Sequence, residues 1–264
     1  MSVETNLNIK VLSLKKAIDR RNFIKKQLNE LKLEHEFVDA VDPKKCSKDI
    51  LEIFSSSKYQ SIYNKLPNFG DIGSSLSHYL LRKDLSKNEN HNIFIVLEDD
   101  AKILCSKEEL ASITKIFENS KFDILLLGFS KCDDNYEKHI NIINPILPVH
   151  RVNDKISIGP RYLNSCSGAV GYLIKRKAAK IMSDLLPLPV PSDDWGFFSK
   201  LGLEIGHTKP MIVRENFLEL SSYGGHHNSS QSPYFDKRSW VMFFVNFRKY
   251  LYGFYRKILL YIQR

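Results

Sequence analysis

Three adjacent acidic residues, Glu98, Asp99 and Asp100, directly follow an apolar run in the stretch NIFIVLEDDAKIL. Carboxylates this close repel one another and resist removal from water, so they need a compensating cation at the end of a buried strand. Side chains two apart in an extended segment point the same way, so Glu98 and Asp100 can converge. One or two carboxylates, with diphosphate oxygens and water, suit a hard divalent cation. The spacing is compatible with such a site, and a solvated acidic turn is the alternative.

The acids belong to a chain in which strand-like and helix-like segments alternate. This alternation favours an α/β sheet with helices on both faces, and ligands usually bind such sheets at the C-terminal edges of the strands. We expect the loops of residues 129–165 to form an acceptor pocket, and we assign residues 43–69 only to a helix or loop insertion. The predicted strands are 8–14, 35–41, 92–97, 122–128 and 168–174, and the predicted helices are 16–33, 71–87, 107–119 and 175–186.

The net charge of +9 on 264 residues is concentrated at the C-terminus. Residues 237–264 hold seven basic and no acidic residues, which leaves a net charge of +2 on residues 1–236. A nucleic-acid-binding domain more often spreads its basic residues over a folded face, so we expect no nucleic-acid partner. The N-terminus lacks the pattern of a secretory signal, and four scattered cysteines fit reduced thiols, so we expect a cytoplasmic protein.

Seven segments in order make this sequence resemble glycosyltransferase family 25, the lipooligosaccharide-type group of bacterial galactosyltransferases and related enzymes. The resemblance implies a GT-A-type, Rossmann-like mixed sheet flanked by helices, a UDP-sugar donor, a divalent metal (usually Mn²⁺, otherwise Mg²⁺) and inversion at the sugar carbon. It also implies that residues 98–100 are the family's EDD form of the DxD motif, with Glu98 and Asp100 on the metal and Glu98 and Asp99 near the donor. The segments are VLSLKKAIDRRNFIKKQL, FVDAVD, GDIGSSLSHYLL, IFIVLEDDAKIL, FDILLLG, GAVGYLIKRKAAKIM and PSDDW.

The same resemblance implies a nucleotide pocket at the ends of the first two strands. An arginine there can pair with phosphate, although either one could instead be a surface charge on a helix. An aspartate of the DAVD segment could accept from a ribose hydroxyl or from uracil, whereas a turn before Pro43 is the alternative for Asp42. The implied donor-binding residues are Leu14, Arg20, Arg21, Asp39, Ala40, Val41 and Asp42.

The segment GDIGSSLSH resembles the family's GEIGCxLSH and adds further donor-binding residues. Gly73 would let the backbone approach a ligand closely. Ser77 and His78 lie on the predicted helix that would face the donor, although a lone histidine in a helix is often a packed core residue.

The segment PSDDW contains the implied catalytic base. Inverting transfer needs a group that takes the proton of the acceptor hydroxyl as that hydroxyl attacks the anomeric carbon. Asp193 aligns with the family's aspartate and Asp194 is the second candidate, but either could instead cap the following helix. Trp195 could stack on a sugar or belong to the core.

The segment SSYGGHHNSS resembles the family's closing SSIG stretch and predicts a loop that orders over the donor. His226, or its neighbour His227, could supply a late metal ligand, although exposed loop histidines are common. Asp133 and Asp134 are interpreted as a solvated loop.

The function that we expect is transfer of a hexose, with galactose from UDP-galactose preferred, to a sugar of a lipooligosaccharide or another lipid-linked glycan. UDP-glucose or UDP-N-acetylhexosamine is the alternative donor. A non-catalytic nucleotide-sugar or membrane-surface binding protein is the alternative class.

The tail SWVMFFVNFRKYLYGFYRKILLYIQR predicts a basic amphipathic helix. It holds nine of the thirty aromatic residues, and Leu251, Phe254, Ile258 and Ile262 lie on one side of it, opposite Lys249. We therefore expect residues 1–236 to form the transferase domain. Residues 237–264 would form a tail lying on an anionic membrane surface, so the enzyme would be peripheral at the inner membrane. A terminal helix packed on the enzyme's own core is the alternative.

Overall fold

The computed structural model describes residues 7–130, 132–163, 167–216 and 240–262 of the chain. In the last range it describes the side chains of residues 249–259, 261 and 262. The predicted metal ligand His226 lies outside these ranges, as does the whole SSYGGHHNSS segment.

Strands and helices alternate along most of the chain. The first half contains β1 (Ile9–Ser13), α1 (Ile18–Glu30), β2 (Glu36–Asp39), α2 (Lys48–Glu52), α3 (Ser56–Tyr63), α4 (Phe69–Ser86), β3 (Ile93–Glu98), β4 (Ala101–Ile103) and α5 (Lys107–Asn119). The second half contains β5 (Ile124–Leu126), α6 (Asp134–Ile143), β6 (His150–Arg151), β7 (Ser157–Gly159), β8 (Gly171–Lys175), α7 (Arg176–Ser183), α8 (Trp195–Lys200), β9 (Ile205–Lys209), β10 (Val213–Glu215) and α9 (Trp240–Ile262).

Eight of the described strands form one mixed sheet in the order β2-β1-β3-β8-β5-β9-β7-β6. Strands β2, β1 and β3 are parallel, β8 is antiparallel to both β3 and β5, and β9 is parallel to β5. The C-terminal ends of β1, β3, β5 and β9 therefore lie at one edge of the sheet. The predicted mixed sheet flanked by helices is confirmed.

Two large clusters of buried apolar side chains cover the two faces of the sheet. In β3, Phe94 and Val96 belong to one cluster and Ile95 and Leu97 to the other, as the alternation of side chains along a strand requires. Burial on both faces explains why IFIVL is an uninterrupted apolar run. The strand is thereby fixed on both sides immediately before Glu98.

Residues 43–69, predicted as a helix or loop insertion, and residues 129–165, predicted as loops, both contain helices. In residues 43–69, α2 and α3 pack through Phe54 and Tyr59 onto α4 and Leu188, in a third and smaller cluster. In residues 129–165, the prediction of a loop at Asp133 and Asp134 was wrong, although both side chains are exposed as predicted. Asp133 caps α6 by accepting from the Tyr136 amide at 2.7 Å, and Asp134 lies in the first turn.

Helix α9 packs on α6 through the side that carries Gly253. A Cβ at Gly253 would lie 2.0 Å from the Ile142 carbonyl oxygen, so glycine lets the two helices come into contact there. Arg256 donates to the Ile143 carbonyl at 2.8 Å, and His139 lies 3.4 Å from the Tyr250 hydroxyl. The predicted apolar side points away from α6, with its described members Leu251, Phe254, Ile258 and Ile262 exposed.

Within the described ranges, none of the helices combines the length and the apolarity that crossing a membrane requires.

Candidate functional site

The acidic loop after β3 is held in place through Asp99. This side chain is buried and accepts from the Ser13 hydroxyl, at the end of β1, at 2.6 Å. Arg20, in the first turn of α1, forms ion pairs with Asp99 and, at 2.5 Å, with Asp100. The sequence prediction placed Arg20 near donor phosphates, and the structure places its guanidinium beside the acids that would face such a donor.

Glu98 and Asp100 remain close together with too little compensating charge. Their side chains are 26% and 14% exposed. Burial raises the pKa of Glu98 to about 8, with further contributions from the charges of Glu215 and Asp193. Burial and the charge of Glu98 raise the pKa of Asp100 to about 8, although Arg20 opposes this. The pair therefore resists full ionisation unless another cation approaches.

One observation indicates that a divalent cation could bind to this pair. The Asp100 Oδ1 atom is buried and has no hydrogen-bond partner among the described residues, which is costly for a carboxylate oxygen. The described ranges contain no group of three or more histidine, cysteine or acidic side chains arranged to hold a metal. The two carboxylates would thus supply part of a coordination shell that phosphate and water complete.

Behind the pair, His78 is fully buried between Glu98 and Tyr172. Its Nε2 atom lies 3.2 Å from Glu98 Oε1, and its Nδ1 atom lies 3.0 Å from the Tyr172 hydroxyl. Burial lowers the pKa of His78 to about 3, so the ring is neutral and carries one N–H. When a cation keeps Glu98 ionised, its carboxylate only accepts, so Nε2 then donates to it and Nδ1 accepts from the Tyr172 hydroxyl. Any influence of His78 on a donor therefore passes through Glu98.

The loop that contains Asp193 is fixed from three sides. Asp193 accepts from the Gly168 amide at 2.6 Å. Its neighbour Ser192 accepts through its carbonyl from the buried Arg82 at 2.9 Å, and its hydroxyl lies 3.0 Å from that of Ser74. The charge of Asp193 contributes to the pKa values of both Glu98 and His78, which places its carboxylate near the acidic pair.

Asp194 and Trp195 have structural contacts that distinguish them from Asp193. Asp194 caps α8 by accepting from the Phe197 amide at 2.9 Å, and it also accepts from the Tyr63 hydroxyl. Trp195 is fully buried and donates to the Gly168 carbonyl at 3.1 Å, so it is a core residue. The capping alternative thus applies to Asp194.

Residues of the predicted nucleotide pocket meet at the ends of β1 and β2. Arg21 donates to the Ser13 carbonyl at 3.0 Å and pairs with Asp39 at 2.5 Å, which joins the two strand ends. The Ala40 amide donates to the same carbonyl at 2.8 Å. Leu14 follows β1 directly, and its carbonyl accepts from the Ala17 amide at the start of α1.

The DAVD segment rests on α4 through Ser77 and Gly73. The Ser77 hydroxyl accepts from the Val41 amide at 2.8 Å and donates to the Gly73 carbonyl at 2.6 Å. A Cβ at Gly73 would lie 3.0 Å from the Pro43 ring, so the glycine permits a close approach of the chain itself. Asp42 accepts from the Lys16 ammonium at 2.5 Å.

Three residues that the sequence analysis did not single out belong to this site. Ser13 supports Asp99, Arg82 supports the Asp193 loop, and Glu215 raises the pKa values of Glu98 and Asp100. Glu215 reaches the acids because β10 pairs antiparallel with β4, opposite Ala101. Its position in the sequence gave no signal, because only strand pairing brings it near residues 98–100.

Comparison with known proteins identifies the family. The model of the family described as "Glycosyltransferase family 25 (LPS biosynthesis protein)" matches residues 6–195. This is more than half of the chain and includes the acidic loop and both aspartates of PSDDW. The chain belongs to glycosyltransferase family 25.

Relatives come from several sources. Procollagen galactosyltransferase 1-A of Xenopus laevis is 29% identical over 67% of this chain and 28% of its own length. The lipooligosaccharide biosynthesis protein lic2B of Haemophilus influenzae is 29% identical over 66% of this chain and 61% of its own length. The putative glycosyltransferase R655 of Acanthamoeba polyphaga mimivirus is 26% identical over 68% of this chain and 53% of its own length. The chain thus spans less than two thirds of the length of each of these relatives.

Solved structures show only distant likeness. The galactosyltransferase LgtC in complex with donor and acceptor sugar analogues has a TM-score of 0.39 and 9% identity, over 83% of this chain and 92% of that chain. Mouse xyloside xylosyltransferase 1 in its apo form has a TM-score of 0.38 and 14% identity, over 75% of this chain and 81% of that chain. Scores this low carry no argument about function.

The pKa values of the acidic pair predict an unusual dependence of stability on pH. Each carboxyl binds its proton more tightly in the folded chain than in the unfolded chain, where the pKa of such a carboxyl is about 4. With EDTA present, the contribution of the pair to the free energy of unfolding should be greatest at acidic pH and be lost as pH rises towards 8. Asp100→Asn should remove much of this loss, as measured by urea denaturation between pH 5 and 8.

The control for this experiment is Asp154→Asn, because the Asp154 side chain is 97% exposed. It should give a pH profile parallel to that of the wild type. A parallel profile for Asp100→Asn as well would contradict the raised pKa values.

Proposed function

We propose that the protein is an inverting, metal-dependent glycosyltransferase that uses a UDP-sugar donor. The single observation that carries the proposal is the pair Glu98 and Asp100, with the unpartnered Asp100 Oδ1, at a C-terminal strand edge in a chain of this family. The transferred sugar is a hexose, and we favour galactose because two relatives are named procollagen galactosyltransferases. The acceptor is a sugar of a lipooligosaccharide or another lipid-linked glycan, in line with the name of lic2B, a lipooligosaccharide biosynthesis protein.

The donor diphosphate would lie between the acidic pair and the arginines of α1. Glu98 and Asp100 would hold Mn²⁺ or Mg²⁺, which supplies positive charge to the departing diphosphate. Arg20 and Arg21 lie on α1, beside the end of β1, where a guanidinium can pair with phosphate oxygens. Uracil and ribose would lie over residues 39–42, next to the junction of β1 and β2.

Asp193 would act as the catalytic base. In a single displacement, the acceptor oxygen forms a bond to the anomeric carbon while the bond from that carbon to the diphosphate oxygen breaks. The proton of the acceptor hydroxyl moves to the Asp193 carboxylate, and the configuration of the sugar inverts. Asp194 is the weaker candidate, since it accepts both from the α8 backbone and from the Tyr63 hydroxyl.

The function predicts metal-dependent donor hydrolysis that requires Asp100. The purified protein should release UDP from UDP-galactose with Mn²⁺ and lose this activity in EDTA. UDP-glucose and UDP-N-acetylhexosamines test the alternative donors within the same panel. Asp100→Ala should lower turnover at least a hundredfold while the circular dichroism spectrum is retained, because a carboxylate of the cation site is lost.

The matched control is Asp133→Ala, which removes an acidic helix cap far along the chain from the acidic loop. It should hydrolyse the donor at the wild-type rate. UDP binding without turnover of any donor would favour the non-catalytic alternative, and full activity in EDTA would refute the metal.

The base assignment predicts a split between turnover and nucleotide affinity. Asp193→Asn should reduce kcat for transfer at least a hundredfold and leave the dissociation constant of UDP unchanged, because the base acts on the acceptor. Asp194→Asn is the control, since asparagine also caps helices well. If only Asp194→Asn loses turnover, the two roles are exchanged.

For the tail, we propose that α9 lies on an anionic membrane surface. It packs on α6 through Gly253 and Arg256, as the alternative of a terminal helix packed on the enzyme expects, but the described residues of its apolar side are exposed and point outwards. An apolar side combined with basic residues suits the interface of an anionic bilayer, where a lipid-linked acceptor also resides. This would make residues 237–264 a membrane-associating unit beside the transferase domain.

The proposal predicts loss of vesicle binding when the apolar side of α9 becomes charged. Phe254→Glu with Ile258→Glu, whose side chains are exposed, should reduce sedimentation with phosphatidylglycerol vesicles at least fivefold. Donor hydrolysis should not change. The control variant, Leu104→Glu with Leu186→Glu, changes exposed leucines outside α9 and should sediment with the vesicles like the wild type. An equal loss of vesicle binding in both variants would rule out a specific role of α9.

A further inference from the structure

A cleft of about 380 Å³ opens between α6 and the ends of β7 and β9. Three lysines from separate parts of the fold line it, namely Lys138 on α6, Lys155 before β7 and Lys209 at the end of β9. Arg214 of β10 lies in its wall. We call this the lysine cleft.

The lysine cleft lies at the same edge of the sheet as the acidic pair. Strands β3 and β9 run in the same direction, so Glu98 and Lys209, their last residues, both lie at this edge. The nucleotide pocket occupies the half formed by β1, β2 and β3. The half formed by β5, β9 and β7 is left for the second substrate.

Strand β10 connects the two halves. Arg214 lines the lysine cleft, and the next residue, Glu215, acts electrostatically on Glu98 and Asp100. The following amide, of Asn216, donates to the Asp100 carbonyl at 2.8 Å. The cleft wall and the acidic loop are therefore joined by three consecutive residues.

The acidic side chains of the cleft are already paired. Arg214 forms ion pairs with Asp134 at 2.5 Å and with Glu137 at 2.7 Å. Glu137 also accepts from the Met211 amide at 2.8 Å, which fixes β10 and the turn before it to α6. Within the described part of the chain, none of the three lysines has a carboxylate within 4.0 Å. The cleft is rigid on one side and carries an excess of two positive charges.

Solvated lysines are common on protein surfaces, and these three are exposed, but they line one concavity from three separate parts of the fold. The two excess positive charges would attract an anion that enters the cleft. We propose that the lysine cleft binds a phosphate or carboxylate group of the acceptor glycan, so that the enzyme selects an anionic acceptor. The inference rests on the proposed function, because it identifies the second substrate of the same site.

An anionic glycan fits the cleft better than a lipid surface does. The volume of about 380 Å³ lies in the range of small-molecule pockets, so a sugar with one charged group fits it. On α6, Lys138 and Asn141 face the cleft, and His139 and Ile143 face α9. At about 100° per residue these two sides point in clearly different directions, so a bilayer beneath α9 would not fill the cleft.

The test compares a cleft variant with a charge-matched control. The cleft variant carries Lys138→Gln, Lys155→Gln and Lys209→Gln. The control carries Lys25→Gln, Lys115→Gln and Lys177→Gln, three exposed lysines on other elements. Calorimetric titration with galactose 6-phosphate and with galactose measures the preference for charge. The wild type and the control should bind the phosphate at least tenfold more tightly than the neutral sugar, and the cleft variant should lose this preference.

Donor hydrolysis separates the two proposals. The cleft variant should hydrolyse UDP-galactose at the wild-type rate, because it leaves the nucleotide half unchanged. Failure of hydrolysis in the wild type would contradict the proposed function and leave the titration result intact. Equal affinity of the wild type for both sugars, or equal losses in the cleft and control variants, would overturn the inference. Loss of phosphatidylglycerol vesicle binding by the cleft variant with unchanged sugar phosphate binding would assign the cleft to lipid.

Discussion

The concentration of negative charge at the end of β3 is the constraint on which the rest of the site depends. Glu98, Asp99 and Asp100 are consecutive, and Asp193 and Glu215 act on the same region. In a partly buried position their mutual repulsion would move the loop towards water unless donors and a cation held it. Arg20 supplies the fixed cation and Ser13 a hydroxyl, both from the first strand–helix unit. Neither Arg20 nor Ser13 donates to the Oδ1 atom of Asp100, which has no hydrogen-bond partner among the described residues. An additional cation would be stabilised at that oxygen.

The groups behind the acids show how the fold supplies polarity without adding charge to the pair. Removing a protonated His78 from water would cost a large desolvation energy, so burial keeps the ring neutral. The neutral ring orients an ionised Glu98 by donating a hydrogen bond to its carboxylate. The buried cation Arg82 instead supports the loop that contains Asp193. Its guanidinium lies between 5.5 and 5.6 Å from the centres of the Tyr172, Trp195 and Phe198 rings and donates to the Ser192 carbonyl. One helix, α4, therefore positions both the acidic pair and the proposed base.

The sequence predicted those parts of the molecule whose signals are local. Strand β3, with its double-sided burial, and the acids that follow it are contiguous, and α5 begins at a capping box formed by Ser106 and Glu109. In residues 43–69 the sequence did not distinguish helix from loop, because α2 and α3, of five and eight residues, hold too few turns for a period to emerge. Glu215 was missed for a different reason. Its role arises from the pairing of β10 with β4, more than a hundred residues apart, and no spacing in the chain encodes that pairing.

Strand β10 also explains how the two halves of the sheet edge can act together. Successive side chains on a strand point to opposite sides, so Arg214 and Glu215 necessarily face different surroundings. Arg214 is fixed to α6 by two carboxylates, and the backbone of Asn216 is fixed to the acidic loop. A shift of β10 would therefore alter the lysine cleft and the charge near Glu98 at once. Because this connection is a short, paired strand, the proposed second substrate and donor would be held on one rigid element, which would suit a displacement that requires fixed alignment of both.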